Sequence, residues 1–349
     1  MFDEHHHDPH VDPLPFGPPA PRAAWAIDHW LEARSVHFGH TVEQQLRLDG
    51  LGCADMSGLN YWLLPPSAVP AIAAATSEPV ETLTAMIPSS VPGLLPWVAT
   101  RGSASGICPL SVAAGRGVPS LGRHWAVNVC PNHGLLLADV CLSCGQPFRS
   151  GMPGGLNPAP LTLRLGPDRC TSYWYTEGQI EICDAPLAGA LAFDVDPDDP
   201  LIGATKTVIG LLVAAATNRW PFGDVTPDQW VRNLGALVVA HALTVEVEDV
   251  ASSSPLILGA VERAALQRRM HVYRSWPPVP SDRMLRCAVL ADALDPLVCP
   301  DGEIGDRLAE LGGRVRRTPD NVRRVLASAS GFPRGPVREA FLAAVRSGR

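Results

Sequence analysis

The chain has 349 residues, 46% of them hydrophobic and 18% charged, a balance that excludes global disorder and leaves room for two or three domains. Its formal net charge of −7 excludes a general cationic coat for nucleic acid, although a local basic face needs only a few well-placed arginines. With 35 prolines and 31 glycines, long uninterrupted elements are excluded as well. Residues 1–22 read as a disordered proline- and histidine-rich start, and the run His5, His6, His7 reads as part of that polar segment. Residues 23–38 carry Trp25, Ile27, Trp30, Leu31 and Val36 at helical spacing. Thr41 is placed to cap a short helix through Leu48 that contains Val42, Gln45 and Leu46. A glycine-bearing loop at 49–58 precedes helices at 65–76 and 77–87, the latter with Val80, Leu83 and Met86 on one face. Together these form an N-terminal helical domain of helix-turn-helix type, residues 23–102.

Residues 103–183 differ in kind. They lack helical periodicity and hold six of the nine cysteines, at positions 108, 130, 141, 144, 170 and 183. Apolar runs at 126–129 and 135–137 suit strands, and 152–160 is a Gly/Pro loop. From 184 onward the pattern is helical again. A buried helix is expected at 201–217, then one opened by Thr226, Pro227 and Asp228 that runs through Leu243 with Trp230, Leu234, Leu237 and Val238 as its core stripe. Further helices are expected at 255–273, 282–293, 302–311, 318–328 and 336–346. The fold class that follows is mainly α, with a small central zinc-ribbon-like β module and helix-turn-helix type domains on either side. The C-terminal domain covers 184–349, with a helix-turn-helix expected near 302–330.

No apolar run reaches the ~20 residues that span a bilayer, and no secretory signal is visible, so a cytoplasmic protein without a membrane partner is expected. In a reducing cytosol clustered cysteines point to metal rather than disulfides. Cys130-x-x-His133 and Cys141-x-x-Cys144 are two-residue knuckles, each followed by a glycine, Gly134 or Gly145, that permits the positive φ of such turns. One shared site of Cys130, His133, Cys141 and Cys144 is one arrangement. Residues 134–140, if extended, hold the knuckles ~23 Å apart and show no turn signal after Gly134, which favours two sites. The first takes Cys108, Cys130 and His133, with Ser111 standing where a Cys108-x-x-Cys pair would supply the fourth ligand. The second takes Cys141 and Cys144, with Cys170 and Cys183 as the later cysteines nearby. One or two structural Zn2+ ions are expected. Serine is a poor zinc ligand, so the first site is expected to have decayed into a hydrophobic or hydrogen-bonded remnant. Cys53, Cys287 and Cys299 read as small buried hydrophobes.

The run Cys108-Pro109, Trp125, Cys130-Pro131-Asn132-His133-Gly134, Leu137 and Cys141-x-x-Cys144-Gly145 resembles the TniQ family of transposition target-selection proteins. Pro13-Leu14-Pro15, His29-Trp30-Leu31 and Gly39, and then Thr82, Leu83 and Met86, follow the family's N-terminal half in order, so the resemblance covers roughly residues 12–145. Two places depart from it: Pro21-Arg22-Ala23-Ala24 replaces a Gly-Glu-Ser ahead of the first helix, and Ser111 replaces a ligand cysteine. The resemblance implies a zinc-containing adaptor without catalysis of its own, which bridges a target-recognition element and a AAA+ ATPase that recruits transposase.

Double-stranded DNA is the other expected partner. The segment 307–324 concentrates Arg307, Arg314, Arg316, Arg317, Arg323 and Arg324, and a helix beginning at Pro319 under a Thr318 cap would bring Asn321, Arg323 and Arg324 toward a duplex. A solvated basic face is the plainer reading of the same residues. Arg268 and Arg269 form a weaker candidate. No enzyme motif is present: there is no His-x-Glu knuckle, no His-Glu-x-x-His, no phosphate-binding glycine loop and no Gly-x-Ser-x-Gly. Neither an enzyme nor a small-molecule substrate is therefore expected. A zinc-stabilised transcription regulator or protein-interaction module unrelated to transposition is the alternative.

Overall fold

In a computed structural model the described residues are 20–21, 27–50, 68–86, 106–115, 122, 124–146, 148, 168–170, 172–176, 179–217, 219–250, 254–270, 275, 277, 279–280, 282–299 and 303–347. All of the proline- and histidine-rich start except residues 20–21, together with Trp25, Cys53 and the 152–160 loop, lies outside them.

The described chain is mainly helical, with two small antiparallel hairpins. The N-terminal unit is built from α1 (Ile27–His37), α2 (Val42–Leu48), α3 (Val69–Thr76) and α4 (Val80–Ala85). Ile27, Trp30, Leu31, Val42, Leu46, Ile72, Leu83 and Met86 form its core. Thr41 and Gln44 make a reciprocal capping box: the Thr41 hydroxyl accepts from the Gln44 amide at 3.1 Å, and the Gln44 side chain accepts from the Thr41 amide at 3.0 Å. Val36, expected on the core stripe, lies on the outer side of α1 with 41% exposure.

The C-terminal unit comprises α6 (Pro200–Ala216), α7 (Pro227–Ala242), α8 (Pro255–Met270), α9 (Arg283–Val298), α10 (Ile304–Arg307), α11 (Ala309–Arg316), α12 (Asp320–Ser328) and α13 (Pro336–Ser347), with α5 (Pro109–Ala113) lying earlier in the chain. Side-chain caps start α6, α7 and α9. Asp199, Thr226 and Asp282 each accept from an amide in the first turn, as the N-cap rule requires. Helix α7 is the centre of the core: beyond the expected stripe of Trp230, Leu234, Leu237 and Val238, it also buries Val231, Ala236, Val239 and Ala240. α9 packs on it, and α6 and α8 pack on α9. α6 is buried on one face only, through Leu201, Ala204, Val208 and Leu212, while Val213 is 47% exposed. α9 continues past the expected end at residue 293 and carries Pro296 inside it. The single helix expected at 302–311 is divided at Leu308, and its second part runs through Gly312 and Gly313 to Arg316. Thr318 does not cap α12. Its hydroxyl donates to the Val315 carbonyl, and Pro319 occupies the cap position without a side-chain bond.

The two hairpins are β1 (Val129–Cys130) with β2 (Leu135–Leu136), and β3 (Tyr173–Thr176) with β4 (Gln179–Ile182). The first is built into the C-terminal core. Val129, Leu135, Leu136 and Leu137 join the same apolar cluster as α6 and α7, and the Leu136 amide donates to the Phe193 carbonyl at 2.9 Å. From α9, Arg286 donates to the Trp125 and Pro280 carbonyls at 2.9 and 2.7 Å, and Arg283 pairs with Asp139 at 3.4 Å. The module expected at 103–183 therefore shares its interior with the helices that follow it. No helix among the described residues is long and apolar enough to cross a membrane.

Candidate metal centre

Local chain geometry brings the cysteines together in two groups. Ile107 pairs with Ala138 through two backbone hydrogen bonds of 2.8 Å, which sets Cys108 beside the segment that leaves the first hairpin. Cys108 is the N-cap of α5, and Pro109 at the first helical position turns the chain so that Ser111 follows three residues on, on the same side. Cys130 ends β1, and the turn that follows places His133 back over it. The Gly134 amide donates to the Cys130 carbonyl at 2.9 Å, and Gly134 has φ +63. Cys108, Cys130 and His133 offer ligand atoms that all lie within 4.8 Å of one another.

The second group repeats the device. The Cys141–Cys144 turn closes with the Gly145 amide on the Cys141 carbonyl at 2.8 Å, with Gly145 at φ +67. Its distal members come from the base of the β3–β4 hairpin. The Cys183 amide bonds the Ser172 carbonyl, and the Cys170 amide bonds the Ala185 carbonyl, both at 2.8 Å, so the two cysteines face one site across the ladder. The sulfurs of Cys141, Cys144, Cys170 and Cys183 lie within 4.8 Å of one another. Ile107, Val112, Phe148 and Leu187 surround them as a small separate core.

The second group is compatible with a bound metal ion. A zinc–sulfur bond of about 2.3 Å implies sulfurs about 3.8 Å apart at the corners of a tetrahedron. Cys141 and Cys183 stand 3.6 Å apart, close to that edge and far beyond a disulfide bond of about 2.05 Å. Every cysteine among the described residues is a free thiol. Four sulfurs converging in an apolar pocket have little to offer one another, because S–H is a weak donor and sulfur a weak acceptor; a cation is the partner that satisfies them all. A zinc ion held by the second group would have four protein ligands and no open position, the signature of a structural site.

The thiols are already divided by proton affinity. A hydrogen bond from Cys108, together with the Asn132 and His133 amides, brings Cys130 down to about 5, while the same contact with Cys130 pushes Cys108 up. Burial raises Cys183, whereas at Cys141 the Cys144 and Ser143 amides outweigh burial and lower it.

No protein-family model, curated protein or solved structure matches the chain.

The expected DNA-contacting arginines do not form one free face. Arg314 is buried at 4% exposure. Its guanidinium meets Glu310 at 2.7 Å, Asp292 at 2.9 Å and Asp249 at 3.8 Å, and it reaches His241 Nδ1 at 3.3 Å. It ties α11 to α7 and α9, and against the expectation of a DNA contact, a guanidinium enclosed this way cannot reach a phosphate. Arg317 pairs with Asp249 at 2.8 Å, and Arg323 pairs with Asp320 on its own helix. Arg316, Arg323 and Arg324 project from α11 and α12, and Asn321 lies in the first turn of α12. Arg268 is likewise buried, donating to the Ala242 and Val245 carbonyls and to Glu246. Cys287 is a buried small side chain, as its helical setting implies, and the half-buried Cys299 donates to the Pro296 carbonyl.

Sequence reasoning misses the β3–β4 hairpin as the scaffold of Cys170 and Cys183. The signal for the hairpin is present in Tyr173-Trp174-Tyr175-Thr176 and Gln179-Ile180-Glu181-Ile182 around Glu177-Gly178, a β-rich pair of runs separated by two residues.

Proposed function

We propose that the protein is a non-catalytic, zinc-stabilised adaptor of the TniQ type, acting in DNA transposition between a target-recognition element and a AAA+ ATPase. The observation that carries the reading is the convergence of seven ligand residues, widely spaced in the chain, into two compact clusters. Zinc is the ion these ligands suit best: thiolate and imidazole select a borderline-soft cation, and tetrahedral grouping disfavours magnesium or calcium. Its chemistry here is structural. It would tie Cys108 at the start of α5 to the first hairpin, and the Cys141–Cys144 turn to the base of the second.

Duplex DNA, if bound, would meet Arg316, Arg317, Asn321, Arg323 and Arg324. The pairing of Arg317 with Asp249 and of Arg323 with Asp320 sets a cost on phosphate contact. That observation favours a second reading for this face, a protein-interaction surface, within the same adaptor or within a regulator unrelated to transposition. Co-purification of the full chain with a AAA+ transposition ATPase and a duplex of about three helical turns tests both. A complex with the ATPase is expected. No association with the ATPase overturns the transposition reading, and a salt-independent failure to bind duplex assigns the arginine face to protein.

A further inference from the structure

We propose that Ser111 is the fourth ligand of the first metal site, giving a centre of two cysteines, one histidine and one serine that is weaker than the four-cysteine centre beside it. This rests on the zinc reading above and reverses the expectation that the serine marks a lapsed site. Ser111 is buried at 3% exposure, with its Oγ 3.3 Å from His133 Nδ1 and 3.8 Å from Cys130 Sγ. Both the hydroxyl and the amide of Ser111 also face the Cys108 thiol. His133 Nδ1 is thus approached by three groups at once: Cys108 Sγ at 3.2 Å, Ser111 Oγ at 3.3 Å and Cys130 Sγ at 3.4 Å.

One ring nitrogen is a single donor or a single acceptor, so it cannot satisfy three hydrogen bonds. Four atoms around a common cation explain the arrangement. With zinc bonds of about 2.0–2.2 Å to nitrogen and oxygen, a tetrahedron places N and O about 3.4 Å apart, and S and O about 3.6 Å apart. The separations at Ser111 match those edges.

The chemistry orders the two sites. The four-cysteine centre offers four thiolates, which soft and borderline cations prefer; the Ser111 centre offers two, with neutral imidazole and neutral hydroxyl. Metal therefore enters the four-cysteine centre first and leaves the Ser111 centre first.

Cobalt(II) titration of the metal-free full chain, followed by absorption, tests the proposal. Two tetrahedral d–d phases are expected, one equivalent each, with the weaker phase assigned to the Ser111 centre. Ser111→Ala is expected to weaken that phase by at least about tenfold and change its d–d envelope, leaving the stronger phase unmoved. Ser111→Cys is expected to tighten it and to raise its sulfur-to-metal charge-transfer band by about half, as two thiolates become three. A weaker phase unchanged in Ser111→Ala, with Ser111→Cys adding no charge-transfer intensity, overturns the assignment and gives the fourth position to water. A chain that shows only one cobalt phase before any substitution fails earlier, at the two-site reading itself.

Discussion

Replacing Arg314 by methionine separates a structural arginine from a DNA-binding one. The guanidinium holds Glu310 at 2.7 Å, Asp292 at 2.9 Å and Asp249 at 3.8 Å, from α11, α9 and the turn after α7. Removing one partner of a fully buried ion pair costs about 3–5 kcal/mol. That figure is an upper limit here, because the Asp292 and Glu310 side chains are 39% and 76% exposed and rehydrate when released. Asp249, at 11% exposure, keeps Arg317 at 2.8 Å. What remains is the lost bond to His241 and the partial loss around Asp249, for a net destabilisation of about 2–3 kcal/mol. Methionine retains much of the apolar stem, so the change reports charge more than volume. Urea denaturation of the full chain at neutral pH measures it, with the exposed Arg324→Ala as a control that stays within about 0.5 kcal/mol. An Arg314→Met chain as stable as its parent but deficient in duplex binding would refute the structural assignment.

Three further outcomes follow from particular contacts. Burial, and then the nearby Arg314 charge, hold His241 down at about 3 in the folded chain. Below the unfolded value near 6.5 the unfolded chain takes up a proton that the folded chain refuses, so this contribution is complete above about pH 6.5 and declines toward about pH 3. The loss is about 2 kcal/mol at about pH 5, and His241→Gln should flatten that part of the urea-midpoint profile; an identical profile would contradict it. Thr41→Ala removes one half of the capping box and should cost about 1 kcal/mol, read as a lower thermal midpoint of the N-terminal unit. Gly134→Ala forces a Cβ into φ +63 at about 1 kcal/mol, which should weaken the first metal site roughly fivefold in a cobalt titration and leave the four-cysteine site unaltered.

The helices are legible wherever a cap and a period coincide. Thr226-Pro227 and the apolar residues after it mark α7, and Thr41 marks α2, within a residue of the observed bounds. The turns Cys130–His133 and Cys141–Cys144 are equally legible, because their spacing is local chemistry. What escapes is non-local. Nothing near Arg314 in the chain announces that Asp249 and His241 will enclose it, since His241 lies 73 residues away. Gly312 and Gly313 argue against a helix by propensity, yet Leu311 and Val315 on either side are buried, and packing overrides the cost. Val213 shows the reverse: an apolar run that reads as fully buried has a solvent face, because α6 packs on one side only. Residue type alone makes Ser111 a weak ligand. Its position relative to His133, which only the fold supplies, changes that reading.

Zinc content of the full chain, purified without chelator and measured by elemental analysis against protein concentration, tests the central claim most directly. Two equivalents per chain are expected, falling to one when Cys170 and Cys183 are both replaced by alanine; a chain that carries no zinc and retains its fold would contradict the account.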